Sequence, residues 1–459
     1  MEHSNDISIL KDLVVKLLAR IEELEAENAE LRLRLNQNSK NSHKPPSSDG
    51  LAKKPAFTQS KGNKTGGQPG HQGKTLLMVC EPDHILVHHA PSCPCCTKVF
   101  TATDVSHIAQ KRQVFDIPVP CLEVTEHQVG VIICCGQAHT GLFPNAVNQP
   151  VQYGSKIKAL SVLLNTDYKI PFEKIEQLLG DLYGCSFNES TAISANITCF
   201  NGLEITQETI KEQILYSQVA HFDETGMRVE GKLHWFHTAS TALFTYLFVH
   251  THRGKEAFQS AQSLIKNFKN WAIHDCWASY FDLKECSHAL CNAHIIRELE
   301  SLKENGSQWA TQMQDLLLEL FNQSQKATII LDNKSIWIEQ YRLICQMADQ
   351  QEPPPIKSKR GKPKNSKGRN LLNRLVKYQD GVLAFAFIEA IPFTNNQAER
   401  DIRCLKTKQK VATSFRTFKG AENYARIQSF VSTLRKHEMN VFQNLIKIFN
   451  KQEVTFQTA

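Results

Sequence analysis

Between Gln218 and Asp275 the chain consists of short runs rich in β-branched and aromatic residues, and this pattern constrains the fold more than any other feature. The predicted elements, in chain order, are strands at Val219 to Phe222, Leu233 to Thr238 and Phe244 to Val249, a helix from Gly254 to Phe268, and a strand at Trp271 to His274. Three strands, a helix and a fourth strand match the opening of a ribonuclease-H-like α/β fold. We therefore expect a catalytic domain of that class here.

Two acids stand where such a fold uses carboxylates. Asp223 directly follows the first predicted strand and Asp275 follows the fourth, so on neighbouring central strands they could share a divalent cation. Glu224 is set aside, because successive residues of an extended segment point to opposite faces. Asp282 and Glu285 compete for the second position, but they follow the strand late. One acid at a strand end is more often structural than catalytic, so the hypothesis depends on a third acid.

The third acid is Glu399, on a predicted helix that Thr394 or Asn395 can cap. The apolar residues of this helix share one face, as expected of a packed helix: Ala398, Ile402 and Leu405. Three carboxylates fit two-metal chemistry, in which two Mg²⁺ or Mn²⁺ ions ~4 Å apart activate the attacking oxygen of a phosphodiester cleavage and stabilise the leaving one. We predict that Asp223, Asp275 and Glu399 hold these ions.

Basic residues beside Glu399 predict phosphate contacts next to the metals. The candidates are Arg400, Arg403, Lys406, Lys408, Lys410 and Arg416. The formal net charge of +7 is modest, so the clustering of Lys and Arg says more about a polyanionic partner than the total does. Two other basic runs, Lys40 to Leu76 and Ile356 to Lys377, are interpreted either as solvated linkers or as phosphate contacts.

The N-terminal segment repeats every seven residues. Ile7, Val14, Ile21, Asn28 and Leu35 occupy a positions, and Leu10, Leu17, Leu24 and Leu31 occupy d positions. β-Branched residues at a with Leu at d favour a parallel coiled-coil dimer, and a lone Asn at a sets its register. We expect a homodimer or a higher oligomer; a single helix packed on its own protein is the alternative.

Cysteines cluster after the basic linker, in Cys93-Pro-Cys-Cys96 and Cys134-Cys135-Gly-Gln-Ala-His139, on either side of residues 113–118 and 122–131, which we predict to be β-rich. Structural Zn²⁺ needs four converging soft or borderline ligands, so the pattern predicts a small zinc-ribbon-like module. The candidate ligands are Cys93, Cys96, Cys135 and His139, with Cys95 and Cys134 as alternates. Buried or redox-active thiols are the competing interpretation.

The remaining segments are predicted to be helical. Residues 153–201 read as helices with a break at 180–186, which fits a helix-turn-helix or a plain helical bundle. The resulting multidomain division is 1–38 coiled coil, 39–78 flexible basic linker, 79–148 zinc-binding DNA-binding module, 149–215 helical segment, 216–300 with 380–435 catalytic domain, 301–379 helical insertion with a basic loop, and 436–459 C-terminal helix.

Four motifs carry a resemblance to a known family. They are His221-Phe-Asp-Glu-Thr-Gly-Met-Arg-Val229, His274-Asp-Cys-Trp-Ala-Ser-Tyr280, Cys291-Asn-Ala-His-Ile-Ile-Arg-Glu-Leu299 and Asn395-Asn-Gln-Ala-Glu-Arg-Asp-Ile-Arg403. With the zipper, the linker and the cysteine-rich segment, the chain resembles transposases of the bacterial insertion sequence 66 family over nearly its whole length. Such zinc segments usually show two Cys-x-x-Cys knuckles, and here the second is Cys134-Cys135 with His139.

The resemblance implies a DNA transposase of the DDE type, with Asp223, Asp275 and Glu399 as its triad. By this implication the partners are the terminal inverted repeats of the element, target DNA, and accessory proteins of the same element. Cys291 and His294 form a Cys-x-x-His pair, for which we favour support of the active site or of DNA contacts over a packed core pair. Asn396, in the most specific motif, is a further supporting candidate.

Other classes of function remain open or are excluded. The chain begins without a basic and apolar signal segment and has no apolar run near the ~18 residues of a membrane span, so we expect a cytoplasmic protein that uses no membrane. A catalytically inactive or domesticated DNA-binding protein is the main alternative. A junction resolvase or another ribonuclease-H-like enzyme is the second, although such enzymes rarely combine a zipper, a zinc module and a long insertion.

Overall fold

The computed structural model describes residues 13–18, 20, 21, 24, 28, 31, 75–325, 333–355 and 364–457. In the N-terminal segment the described positions are helical and exposed, including Val14, Leu17, Ile21 and Leu24 of the predicted seam. The seam residues Ile7, Leu10 and Leu35 lie outside the described residues, as do residues 39–74 of the predicted linker and 356–363 of the second basic run. The dimeric coiled coil therefore stays a prediction.

The chain divides into two compact units, one of residues 51–123 and one of residues 1–50 with 124–459. In the smaller unit a bridge between Ser92 and Val99 closes the loop of Cys93-Pro-Cys-Cys96, and the side chain of Gln113 bonds both backbone groups of Val79. Residues 113–118, predicted as β-rich, do not form a strand. Pro118 ends this stretch and Pro120 follows it, and proline has no N–H to donate to a ladder.

The larger unit contains eight described strands in two sheets. They are β1 (Val131–Cys134), β2 (Gln137–Thr140), β3 (Val219–Val229), β4 (Lys232–Ser240), β5 (Thr245–His250), β6 (Trp271–His274), β7 (Ser287–Leu290) and β8 (Ser414–Phe415). The first two form a separate antiparallel hairpin. In the main sheet the order is β5-β4-β3-β6-β7, with β8 added to β3. Neighbours run antiparallel from β5 to β3 and parallel from β3 to β7, so parallel strands reached by crossovers form one half of the sheet.

Along the chain, helices precede, interrupt and follow the strands of this sheet. They are α1 (Ser155–Thr166), α2 (Phe172–Tyr183), α3 (Glu189–Gly202), α4 (Glu204–Tyr216), α5 (Lys255–Gln259), α6 (Asn292–Lys303), α7 (Gln308–Ser324), α8 (Lys334–Gln351), α9 (Lys367–Lys377), α10 (Gln379–Phe387), α11 (Asn396–Ala412), α12 (Phe418–Lys436) and α13 (Val441–Phe449). The fold is thus a mixed helix and sheet architecture with a sheet at its core. None of the described helices has the length and apolarity that a bilayer crossing requires.

The strand β3 is much longer than predicted. The sequence suggests an end at Phe222, whereas the strand continues to Val229 and turns into β4 through Glu230 and Gly231, both with positive φ. The residues after Phe222 include two acids and a glycine, which are poor strand formers, so the sequence did not predict this continuation. Tertiary packing overrides that preference, because the second half of β3 pairs with both β4 and β8 and buries Met227. Asp223 therefore lies inside a strand, whereas Asp275 directly follows β6 as predicted.

The predicted helix from Gly254 to Phe268 is also interrupted. Only α5 and a short 3-10 turn, Ile265–Asn267, are helical. Ser260 ends α5 by donating its hydroxyl to the carbonyl of Ala257. Phe258, Leu264 and Phe268 all reach the same apolar cluster against the sheet.

Two helical groups pack on the sheet domain. The helices α6 to α10 share an apolar core with β6 and β7, and Trp309 and Tyr341 are among its fully buried side chains. This arrangement agrees with a helical insertion between Cys291 and Glu399. The helices α1 and α3 pack against α12 and α13, around Phe430 and Leu445. The helix pair α2 and α3, joined through Gly184, is thereby attached to the C-terminal end of the chain.

Candidate active site

The register of three parallel strands aligns Asp223, Asp275 and Cys291. His221 on β3 pairs with Ile273 on β6, so two residues further on Asp223 stands level with Asp275. His274 on β6 pairs with Leu290 on β7, and the amide of Cys291 donates to the carbonyl of His274 at 2.9 Å. Since residues two apart on a strand share a face, both carboxylates leave the same face of the sheet.

The carboxyl group of Asp223 is in an unfavourable electrostatic position. Burial raises its pKa well above the ordinary value, and the negative charges of Glu224, Asp275 and Glu399 raise it further. One hydrogen bond, from the amide of Glu224 to Oδ1 at 2.9 Å, acts in the opposite direction. Asp275 and Glu399 thus both lie within electrostatic reach of Asp223.

The neighbouring Glu224 has partners that Asp223 lacks. Its Oε2 accepts from the hydroxyl of Tyr280 at 2.6 Å, and its Oε1 lies 2.7 Å from the guanidinium of Arg253. Arg253 in turn lies over the rings of Trp235 and Trp277. Burial raises the pKa of Glu224, as does the charge of Asp275, while Tyr280 and Arg253 lower it. Glu224 is thus held by two side chains, and its exclusion from the catalytic set stays a prediction.

Glu399 lies in the first turn of α11. Asn395, which precedes this helix, attaches it to β3. The side chain of Asn395 is buried; its amide donates to the carbonyl of Phe222 at 2.8 Å, and its oxygen lies 2.9 Å from Nδ1 of His221. Asn395 is the N-cap residue of α11, but its side chain makes no capping bond. The supporting residue suggested by the sequence, Asn396, is exposed at the first position of the helix.

A second anchor holds α11 in its second turn. The carboxylate of Asp401 lies 2.6 Å from Nζ of Lys436, and both side chains are about nine-tenths buried. Asp401 also accepts from Ser240 and Thr245, and Lys436 also donates to the carbonyls of Thr241 and Phe244. The helix that carries Glu399 is therefore tied to α12 and to the β4–β5 connection. Sequence reasoning missed Asn395 and Lys436 as positioning residues, and only the Asn395 motif gave any signal.

Cys291, His294 and Glu399 form a group of three metal-ligating side chains whose donor atoms all lie within 4.8 Å of one another. Sγ of Cys291 lies 4.0 Å from Oε1 of Glu399, and Nδ1 of His294 lies 3.9 Å from the same oxygen. Burial raises the pKa of the Cys291 thiol to about 11. The Cys-x-x-His pair singled out in the sequence is thus brought to the predicted catalytic glutamate.

The predicted phosphate contacts differ in exposure. Four side chains of α11 and one beyond it are exposed: Arg400, Arg403, Lys406, Lys410 and Arg416. Burial lowers the pKa of the Lys406 ammonium, and the charge of Asp223 opposes that effect, so Lys406 lies within electrostatic reach of Asp223. Lys408 is buried against the ring of Tyr424, and burial lowers its pKa to about 8. Helical spacing explains the difference, because Lys408 lies on the face that packs inward.

The predicted zinc ligands fall in both compact units. In the smaller unit the backbone groups of Cys96 and Cys95 form hydrogen bonds to Cys93 and lower the pKa of its thiol. In the larger unit Cys135 and Gly136 form the positive-φ turn between β1 and β2, with His139 on β2. Each pair therefore lies in or beside a tight turn. A zinc site that joins the two pairs stays a prediction.

Comparison with known families finds two matches along the chain. The model described as "Transposase IS66 family" matches residues 150–423, which include every helix and strand from α1 to β8 and the acids Asp223, Asp275 and Glu399. A family of unknown function (DUF6444) matches residues 2–76. A search of curated proteins returns no match.

Proposed function

The chain belongs to the IS66 transposase family, and on that premise we propose that it cleaves and joins DNA at a metal-dependent site formed by Asp223, Asp275 and Glu399. Membership of the family implies DNA transposase activity. The mechanism is our inference from the geometry of the site. The observation that carries it is the register that sets Asp223 level with Asp275 on adjacent parallel strands, with Glu399 in electrostatic reach.

The strand arrangement supports a ribonuclease-H-like catalytic domain. Three antiparallel strands followed by two parallel ones, in the order β5-β4-β3-β6-β7, agree with that class. In an open sheet with parallel strands, ligands bind where these strands end. Asp275 and Cys291 are at the ends of β6 and β7, and Asp223 is at the same level on β3. We infer that α6 to α10 are an insertion in this domain, between its second and third acids.

The acids fit divalent cations of the magnesium class. Hard cations prefer carboxylate oxygens, and Asp223 and Asp275 each use Oδ1 for a backbone amide, which leaves Oδ2 for a cation. The raised pKa of Asp223 reflects burial and repulsion by Glu224, Asp275 and Glu399, and a cation among these acids relieves that repulsion. We propose that the three triad residues hold two such ions, Mg²⁺ or Mn²⁺.

The reaction follows from these positions. When bound, the two cations supply positive charge to the attacking and leaving oxygens of the scissile phosphodiester. Water attacks first and frees a 3′-OH at the end of the element. That hydroxyl then attacks a phosphodiester of target DNA, which exchanges one P–O bond for another and needs no external energy source. Lys406, near Asp223, is suited to hold the phosphate, and Arg400 and Arg403 extend the contact along the same helix.

The other segments have supporting roles in this proposal. The exposed apolar residues of the N-terminal helix, among them Leu17 and Leu24, suit a parallel coiled coil that brings two chains and two DNA ends together. The thiol and imidazole groups of Cys93, Cys96, Cys135 and His139 suit structural Zn²⁺, with Cys95 and Cys134 as alternates. The helix pair α2 and α3 is a candidate reader of the terminal repeats. Accessory proteins of the element are candidate partners.

The proposal is tested by cleavage and strand transfer on oligonucleotides that carry the ends of the element, with Mg²⁺ or Mn²⁺. We expect Asp275→Asn and Glu399→Gln to lower the cleavage rate by at least about 1,000-fold, because each removes a carboxylate from the metal site. End binding, measured by gel shift, should persist in both variants. The matched control is Asp282→Asn, which removes an exposed acid that follows the same strand at a greater distance.

Two results would contradict the proposal. One is cleavage at the wild-type rate by Asp275→Asn or Glu399→Gln, which would exclude these carboxylates from catalysis. The other is sequence-specific end binding by the wild type without cleavage under any divalent metal, which would favour the inactive DNA-binding protein.

A further inference from the structure

The group of Cys291, His294 and Glu399 combines three different donor types at one point: a thiol, an imidazole and a carboxylate. We propose that these residues bind one thiophilic divalent cation of the zinc class, and that this cation competes with the magnesium-class ions for Glu399. That these residues bind such a cation is argued from the geometry of the group alone. That this cation competes for Glu399 rests on the function proposed above.

The donor atoms are close to the spacing that zinc requires. Bonds of about 2.3 Å to sulfur and about 2.0 Å to nitrogen or oxygen, arranged tetrahedrally, set donor atoms about 3.3–3.5 Å apart. The observed separations are 4.0 Å from Sγ of Cys291 to Oε1 of Glu399 and 3.9 Å from Nδ1 of His294 to that oxygen. A movement of about half an ångström by side chains closes these two separations, and all three donor atoms lie within 4.8 Å of one another.

The backbone holds two of the ligands in place. Cys291 directly follows β7 and is the N-cap residue of α6, and His294 lies in the first turn of that helix. Positions three apart on a helix lie on one side, so both donors point toward α11. The amide of Asn395 donates to Sγ of Cys291 at 3.1 Å, and this hydrogen bond favours a thiolate ligand and fixes its position. Asn395 therefore links the thiol to the docking of the Glu399 helix.

The chemistry of the group selects the class of metal. Thiolate and imidazole suit zinc, whereas magnesium prefers oxygen ligands, so this site and the Asp223–Asp275 side attract different ions. Three protein ligands leave the fourth position of a tetrahedral ion open, and the side chains of His294 and Glu399 are about one-fifth exposed, which gives access from solvent. Because Oε1 of Glu399 faces Cys291 and His294, an ion bound there uses negative charge that the magnesium-class ions also need.

The test is a titration of the full-length, metal-stripped protein with Co²⁺, whose bond to a thiolate absorbs in the near ultraviolet. We expect the wild type to bind one more equivalent of Co²⁺ than Cys291→Ser or His294→Ala, or to bind that equivalent at least about tenfold more tightly. The control is Cys404→Ser, on the same helix as Glu399 but outside the group. The cysteines of 80–135 contribute equally to wild type and variants, so the difference reports on Cys291 and His294.

Superimposable titrations of the wild type, Cys291→Ser and His294→Ala would overturn the site. Cys291 is almost completely buried, so its substitution can disturb folding, whereas His294 is partly exposed. Circular dichroism and thermal melting of each variant separate these cases. Loss of the Co²⁺ equivalent in a normally folded His294→Ala protein supports the site whatever Cys291→Ser does.

The competition is tested on wild-type cleavage in Mg²⁺ with added Zn²⁺. We expect inhibition whose midpoint rises in proportion to the Mg²⁺ concentration, since both ions need Glu399. Inhibition that is independent of Mg²⁺, or none, would overturn the sharing of Glu399. If the wild type cleaves no DNA with any metal, the proposed function fails, while the Co²⁺ titration still decides whether the site exists.

Discussion

The two faces of β3 place a carboxylate in opposite electrostatic environments. On one face Glu224 is buried with a hydroxyl from Tyr280 and a guanidinium from Arg253, which together match its charge. On the other face Asp223 is removed from solvent, and its pKa is raised both by this burial and by the negative charges of Glu224, Asp275 and Glu399. The two residues are adjacent in the chain, so their difference comes only from which face each occupies.

The same contrast recurs on α11. Asp401 is matched by Lys436 and two hydroxyls, whereas Glu399, two residues earlier, faces Cys291 and His294. Removing one member of a matched buried pair leaves the other uncompensated and costs stability, whereas an acid held among other acids or metal-ligating groups costs stability that a ligand can recover. We therefore expect substitutions at the matched acids to weaken the fold and substitutions at the unmatched acids to strengthen the metal-free protein.

The largest effect on stability is expected for Lys436→Met. This change leaves the buried carboxylate of Asp401 without its cation, so the free energy of unfolding should fall by about 3 kcal/mol. Urea denaturation of the purified protein measures it. Adding Asp401→Asn to Lys436→Met removes the unmatched charge and should recover part of the loss, and a double variant no more stable than Lys436→Met would argue against the ion pair.

A smaller effect is expected on the opposite face of β3. Glu224→Ala removes the acceptor of Tyr280 and the partner of Arg253, and the free energy of unfolding should fall by about 2 kcal/mol. Tyr280→Phe, which removes only the hydroxyl, should cost about 1 kcal/mol and serves as the matched control. Equal stability of Glu224→Ala and the wild type in the same urea titration would remove the contrast between the faces.

The smallest effect has the opposite sign. Asp223→Asn should raise the free energy of unfolding of the metal-free protein at pH 7.5 by about 1 kcal/mol, roughly 2–4 °C in Tm for a domain of 150–250 residues. The pKa of Asp223 is raised in the folded protein, so the wild type is most stable relative to the variant below the ordinary Asp pKa, where both states are protonated, and loses stability as the pH rises.

Melting curves with a chelator at pH 4.5 and pH 7.5 check this sign for Asp223→Asn. The gain should shrink at the lower pH, and adding Mg²⁺ should raise the Tm of the wild type more than that of the variant. The control Asp282→Asn, at an exposed position, should show neither effect. A variant less stable than the wild type at pH 7.5 would mean that Asp223 is a structural acid.

Particular elements show how much of the secondary structure could be predicted from the sequence alone. The strands β4, β5 and β6, the position of Asp275 after β6, and the long helices α7 and α8 were all predictable, because each depends on a local period of apolar residues. The end of β3 was not, since its second half contains residues that disfavour strands and pairs with β8, which is almost two hundred residues away in the chain. The break after α5 was missed as well, because Phe258, Leu264 and Phe268 keep a helical spacing across it.

For the site, the sequence determined which residues are candidates for the chemistry: two acids near strands, one on a helix, and a Cys-x-x-His pair. Only the tertiary structure decided which other side chains each of these residues contacts. It set Glu224 against Arg253, docked α11 through Asn395, and brought Glu399 to Cys291. The physical reason is that residue type and period are local properties, whereas the electrostatic environment of a carboxylate is set by groups far apart in the chain that the fold brings within a few ångströms.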